Sequence, residues 1–198
     1  MKYILTLLAL LGLSACTVTQ PYIAEYRIET KKSTTVLSSL ACKDKSLKVS
    51  QAFSENALMT QTMKYTQNDY GEYTFSESAW SQSPNKAITQ EILKSTRDSE
   101  LFKSVQSYKS RSASEYILES SIEEFIQHFS SDAKSSYVRI AISFSLVNSA
   151  SSEVVDTLSI NKTVPVSEMN AQGGVEAFNQ GLGELLVEKN KWLNEVCR

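Results

Sequence analysis

Alternation of large apolar residues with polar or small residues within 137–147 constrains the fold of this chain more than any other feature. Successive side chains of a strand point to opposite faces, so this segment predicts a strand with one buried face. The apolar members of the alternation are Val138, Ile140, Ile142, Phe144 and Leu146. Segments 116–129 and 154–164 predict neighbouring strands, and the small polar residues of 148–152 predict an antiparallel hairpin between the second and the third.

Two segments have helical spacing instead. Ser83-Pro84 indicates a helix start, because Ser can cap the first amides and Pro fits the first turn, and a helix over about 84–98 follows. A longer amphipathic helix is predicted over about 169–196. Its apolar stripe is Val175, Phe178, Leu182, Leu185, Leu186, Trp192, Leu193 and Val196. Gly181 and Gly183 inside it indicate close packing or a local irregularity.

Shorter extended segments lie before and between these elements. They are predicted at 22–28, twice between 47 and 65, at 70–75 after an Asn68-Asp69 turn, and around 102–105. The second of the two between 47 and 65 would contain Ala57, Met59, Met63 and Tyr65. The order of strands, helix, strands and helix predicts an α+β domain. Its two main helices would pack on one face of a largely antiparallel sheet.

Residues 1–16 are typical of a lipoprotein signal peptide. Lys2 supplies the positive charge, the apolar run that follows is too short to span a bilayer, and Leu13-Ser14-Ala15-Cys16 has the form of a lipobox. We therefore expect a cleaved signal peptide over 1–15, a lipidated tether over 16–24 and a single periplasmic domain over 25–198. The alternative is an ordinary cleaved signal peptide with an incidental cysteine. Thr17, where Asp would favour inner-membrane retention, predicts the periplasmic face of the outer membrane.

The mature chain offers little for catalysis. It would have 198 minus 15, or 183, residues, with 19 basic against 22 acidic side chains, which argues against a nucleic-acid partner. His128 is the one histidine and has no acidic cluster at ligand spacing. Glu123 and Glu124 are adjacent on a predicted strand, so they are expected on opposite faces. We predict no catalytic residues, no metal site and no cofactor, hence no enzyme.

Two cysteines remain after Cys16. In an oxidising compartment Cys42 and Cys197 could form one disulfide that ties the C-terminal helix to the start of the domain. Two separately buried thiols are the alternative.

Aromatic residues are concentrated around one predicted hairpin. They are Tyr65, Tyr70, Tyr73, Phe75 and Trp80. A corner of the core with Trp80 closing it is the simpler interpretation. An exposed patch that docks a partner or lipid through Tyr65, Tyr73 and Trp80 is the functional one.

Several short segments together resemble the ABC-type transport auxiliary lipoprotein family, whose members are PqiC-like proteins. They are the lipobox, Met63-Lys64-Tyr65, Tyr73, Ala79-Trp80 before Pro84, Phe102-x-x-Val105, Tyr116-x-Leu118 and Trp192-Leu193. The Ser-rich segment 31–45 and the cysteines at 42 and 197 depart from the family pattern.

The resemblance implies an outer-membrane-anchored, non-catalytic accessory component of ABC/MCE-type lipid transport. Its partners would be an MCE-domain protein and ABC transporter components, and a homo-oligomer is one possible arrangement. A second hypothesis is an envelope-assembly lipoprotein that braces an outer-membrane β-barrel, as LptE-like proteins do. A third, a hydrolase, would need a deep polar pocket containing His128.

Overall fold

The computed structural model describes residues 22–31, 42–68 and 70–196. The predicted signal peptide, Cys16, Asp69 and Cys197 lie outside these residues. Nine strands and two helices are defined in the described chain. In order they are β1 (Ala24–Tyr26), β2 (Ser46–Val49), β3 (Phe53–Ser54), a 3-10 turn (Asn56–Met59), β4 (Thr62–Gln67), β5 (Gly71–Trp80), α1 (Pro84–Asp98), β6 (Ser104–Ser107), β7 (Tyr116–Phe129), β8 (Ser136–Asn148), β9 (Val154–Pro165) and α2 (Ala171–Val196).

The sheet is built around β7, whose pairing with β8 is the longest in the described chain. One edge of β7 pairs antiparallel with β8, which pairs antiparallel with β9. Three short strands share the other edge in parallel orientation: β2 along 116–118, β3 along 121–122 and β4 along 127–129. β6 adds to β2, while β5 and then β1 add to β4. The sheet therefore forks on one side of β7.

Both helices cover the same face of this sheet. The apolar residues of the β8 alternation are buried, and Ile140 lies under α2 beside Val164 of β9. At the far end of α2 the Trp192 indole Nε1 donates to Asp156 Oδ2 of β9 at 2.8 Å. Lys189 of α2 donates to Thr96 Oγ1 of α1, which joins the two helices. The predicted α+β fold with helices on one face is confirmed.

The sheet is more mixed than the sequence predicted. The long pairings β7–β8 and β8–β9 are antiparallel, as is β4–β5, but five shorter pairings are parallel. Parallel pairing joins segments far apart in sequence, and alternation of side chains does not reveal which distant strand is the neighbour.

Two local predictions were wrong. Ala57 and Met59 lie in the 3-10 turn, and the strand begins only at Thr62. Ala57, Leu58 and Met59 are three apolar residues in a row, and a run this short does not distinguish a strand from a turn. The Ser83 side chain makes no capping hydrogen bond to α1, although the Ser83 carbonyl accepts from the amides of Lys86 and Ala87.

The segment that follows β1 is fastened to both helices. The Asn179 side chain of α2 accepts from the Glu29 amide at 3.0 Å and donates to the Arg27 carbonyl at 3.3 Å. The buried Glu91 carboxylate of α1 accepts from the amide and the hydroxyl of Thr30. The N-terminal end of the described chain is thus held by side-chain bonds as well as by strand pairing.

Gly181 and Gly183, two of the four glycines in α2, should respond in opposite directions to substitution by alanine. A Cβ at Gly181 would lie 2.9 Å from Val164 Cγ2 and 3.1 Å from Ile140 Cδ1, whereas the nearest contact at Gly183 is Thr30 Cβ at 3.9 Å. We expect Gly183→Ala to stabilise the fold by about 0.5 to 1 kcal/mol through helix propensity. Gly181→Ala should destabilise it by about 1 to 3 kcal/mol through overpacking. Urea unfolding of both variants checks this, and equal shifts would contradict it.

Among the described residues no helix is long and apolar enough to cross a membrane.

Candidate functional site

The aromatic residues around the β4–β5 hairpin divide into two clusters with different surroundings. Trp80 is only 4% exposed and its ring lies 5.8 Å from Phe125 and 5.8 Å from Phe178. Phe125 and Phe178 stack at 4.1 Å. These three rings join β5, β7 and α2, so Trp80 is a core residue.

The second cluster reaches the surface. The Tyr65 ring lies 5.4 Å from Tyr73, 4.6 Å from Phe75 and 5.2 Å from Phe129. Tyr73 is 45% exposed, and the other three are partly exposed. The structure therefore brings Tyr65 and Tyr73 together and separates both from Trp80.

This second cluster lies on the helix-covered face, just beyond the place where the helix begins. Tyr65 is in register with Gln127, which points into the core and donates to the Asn170 carbonyl directly before α2. Phe129 is two residues further along the same face of β7. Because α2 starts at Ala171, its body covers the sheet up to Gln127 and leaves the aromatic cluster partly open.

Further exposed apolar side chains lie at the same end of the sheet. Tyr70, in the β4–β5 turn, is fully exposed. Met169, in the segment between β9 and α2, is 48% exposed. We call the group Tyr65, Tyr70, Tyr73, Phe75 and Phe129 the aromatic end. Isolated exposed apolar residues are ordinary, but a contiguous group is characteristic of an interaction surface.

The opposite face of the sheet carries a polar network around His128. His128 Nδ1 lies 2.7 Å from Thr66 Oγ1, and Nε2 lies 3.0 Å from Glu124 Oε1. Arg139 Nε lies 3.4 Å from the other oxygen of Glu124. The imidazole also stacks on Tyr137 with ring centres 4.8 Å apart. His128 thus has an acidic neighbour that the sequence analysis did not anticipate.

The prediction that Glu123 and Glu124 point to opposite faces was wrong. Glu123 accepts from Ser143 and Glu124 bonds His128, and both partners lie on the uncovered face of the sheet. The reason is a β-bulge, because the β7–β8 register shifts between Ile122 and Glu124. An extra residue in one strand breaks the alternation of side chains.

The network is arranged on a sheet surface and not in a deep pocket. The His128 side chain is 22% exposed. A small cavity of about 110 Å³ lies beside Glu123 and Glu124, reaching Trp80 and Phe178 on the core side. Pockets for small ligands are usually about 300 Å³ or more, so this cavity is too small for one. In the described part of the chain no three His, Cys, Asp or Glu side chains form a group that could hold a metal ion.

The disulfide stays a prediction, because Cys197 lies outside the described residues. Cys42 is buried, 4% exposed, next to the start of β2. A Cys42–Cys197 bond would close a loop of about 155 residues and stabilise the fold by about 3 to 5 kcal/mol. We expect denatured, unreduced mature protein to take up no alkylating reagent by mass spectrometry, and reduced protein to take up two equivalents at these cysteines. Two reactive thiols before reduction would contradict the bond.

No family model and no curated protein matches this chain in sequence. Solved structures do match in fold. Protein XCC0632 from Xanthomonas campestris, of family DUF330, aligns with a TM-score of 0.78 and 14% identity over 87% of this chain and 95% of its own. A second, uncharacterized protein aligns with a TM-score of 0.66 and 12% identity over 87% and 99%. The hypothetical protein CT253 from Chlamydia trachomatis aligns with a TM-score of 0.51 and 7% identity over 78% and 98%. Identities this low show a shared fold alone.

Sequence reasoning also missed Lys189, which is fully buried between the helices. A signal was present, since Lys189 lies three residues after Leu186 and four before Leu193, in the middle of the apolar stripe.

Proposed function

We propose that this protein is a non-catalytic lipoprotein, anchored to the periplasmic face of the outer membrane, that acts as an accessory component of an ABC/MCE-type lipid transport system. The observation that carries the proposal is the lipobox ending at Cys16, which lies only eight residues before β1. A tether this short holds the domain within a few nanometres of the membrane. The transport role is supported by the sequence resemblance between the ABC-type transport auxiliary lipoproteins and the segments of this chain that lie from Met63 to Leu193.

The structure is compatible with a binding and positioning role. Its one histidine lies in a surface network, and its partly exposed aromatic side chains are grouped at one end of the sheet. Energy for transport would come from an ATPase partner, and an MCE-domain protein would provide the lipid path. Both partners are expected because of the resemblance to the ABC-type transport auxiliary lipoproteins.

Mass spectrometry of the native protein tests the anchor. We expect the mature chain to begin at Cys16 and to carry three acyl chains, because three chains give a stable anchor where one does not. The Cys16→Ser variant should remain unprocessed and lose acylation. A native chain that begins elsewhere, or that lacks acyl chains, would overturn the anchor.

Affinity purification from detergent-solubilised membranes tests the partner. Wild-type protein should recover an MCE-domain protein or its transporter after mild crosslinking, and the Cys16→Ser variant should recover much less of it. Repeated recovery of an outer-membrane β-barrel in place of a tunnel protein would favour the LptE-like alternative.

A further inference from the structure

We propose that the aromatic end, together with Tyr22 and Ile23, contacts the surface of the same bilayer that holds the N-terminal lipid. The inference rests on the lipid anchor of the proposed function. It adds which part of the domain faces the membrane and which side chains touch it.

The direction of the first strand places the anchor near the aromatic end. β1 is parallel to β5, with Ala24 opposite Ser78 and Tyr26 opposite Trp80. β5 begins at Gly71, in the turn that contains Tyr70, and runs away from the aromatic end. The chain that precedes Ala24 therefore leaves the sheet in the direction of that end.

The tether is long enough for the distance to be covered. Eight residues separate Cys16 from Ala24, and eight separate Tyr70 from Ser78, the partner of Ala24. The register shift in the β4–β5 pairing within 74–79 shortens the distance that the residues of β5 span. Eight extended residues span at most about 27 Å. A lipid on Cys16 can therefore reach the level of Tyr70.

The side chains exposed at this end suit the interface of a bilayer. Tyr70 is 100% exposed and Tyr22 is 85% exposed, with Ile23 beside it at 52%. Tyrosine is enriched at membrane interfaces because its ring enters the apolar region while its hydroxyl stays hydrated. Met169 adds an apolar side chain from the segment before α2.

The charged groups around these tyrosines are compatible with an uncharged lipid surface. Lys64 is paired with Glu72 between β4 and β5, and Lys134 lies 3.7 Å from Asp132 in the β7–β8 turn. Glu168, in the segment before α2, is exposed, and its carboxylate accepts from a neutral amide side chain. Since the pairs offset each other and Glu168 adds a negative charge, these side chains carry no excess positive charge, and the contact depends on the aromatic side chains and not on ionic attraction.

Fluorescence quenching by lipid tests the proposal with two matched variants. Tyr70→Trp places a reporter at the aromatic end, and Tyr108→Trp places one after β6, which pairs through β2 with the beginning of β7 at the other end of the sheet. Both tyrosines are exposed, and the native Trp80 and Trp192 are buried, so their emission is shielded from the bromine and is subtracted with the wild-type spectrum. The full lipidated proteins are reconstituted in phosphatidylcholine vesicles with and without bromine on the acyl chains.

We expect both variants to float with the vesicles, and Tyr70→Trp alone to lose fluorescence to the brominated lipid and to shift to shorter wavelength. Flotation with no quenching of Tyr70→Trp, or with equal quenching of both variants, would overturn the membrane contact and leave the anchor standing. Failure of the acylated wild-type protein to float would overturn the anchor and the contact together.

Discussion

The Lys189→Met variant should be more stable than the wild-type protein at pH 7, by an amount on the order of 3 kcal/mol. Lys189 is fully buried, and burial lowers its pKa from 10.5 to about 7. Its ammonium donates to the neutral Thr96 hydroxyl and lies 3.5 Å from the Ile92 carbonyl. No ion pair among the described residues offsets the cost of burying this charge.

The same residue should give the wild-type protein a particular dependence on pH. Between about pH 7 and 10.5 the unfolded chain holds a proton at Lys189 that the folded chain has released. The contribution of Lys189 to the free energy of unfolding therefore rises with pH across that window, by up to about 1.4 kcal/mol per pH unit, and is constant below it.

Urea unfolding of wild type and Lys189→Met at pH 6.5, 8 and 9.5 measures both effects. The difference in the free energy of unfolding between the two proteins should shrink as the pH rises. Lys191→Met is the matched control, since Lys191 is an exposed residue on the same helix and should leave stability nearly unchanged. A constant difference at all three pH values would show that the Lys189 charge is not the cause.

Trp80→Ala is expected to cost about 3 to 5 kcal/mol, because it empties a buried site between two aromatic rings. Trp80 packs against Phe125 and Phe178, and these contacts join the sheet to α2. The loss should be visible as a lower Tm and a lower urea midpoint.

Tyr73→Ala serves as the comparison within the same hairpin. Tyr73 is 45% exposed and its ring contact is with Tyr65, so its removal should cost about 1 kcal/mol or less. Similar losses for the two variants would contradict the division of the hairpin into a core cluster and a surface cluster.

Much of the fold was predictable because its long elements have strong periodicity. The predicted segment 116–129 coincides with β7, 84–98 with α1, and the last helix begins two residues later than predicted. These segments carry their pattern over ten residues or more, enough for the period of the side chains to identify the element.

The short strands and the candidate site were less accessible. The parallel pairings along β7 depend on tertiary packing between distant segments, and the bulge at Glu123 is a one-residue insertion that has no signature of its own in the sequence. The aromatic residues could be listed from the sequence. Which of them were buried depended on where α2 begins, and this is why Trp80 and Tyr73 could not be told apart.

The bonds that fasten residues 27–30 give the domain a mechanical property. A pull on the chain before Tyr22, directed along β1, loads its three register pairs with β5 in shear and at the same time strains the Asn179 and Glu91 contacts. Such a load is distributed over the sheet and both helices at once. The domain should therefore resist unfolding when it is pulled from its N-terminal segment. A strand whose hydrogen bonds were loaded one at a time would detach more easily.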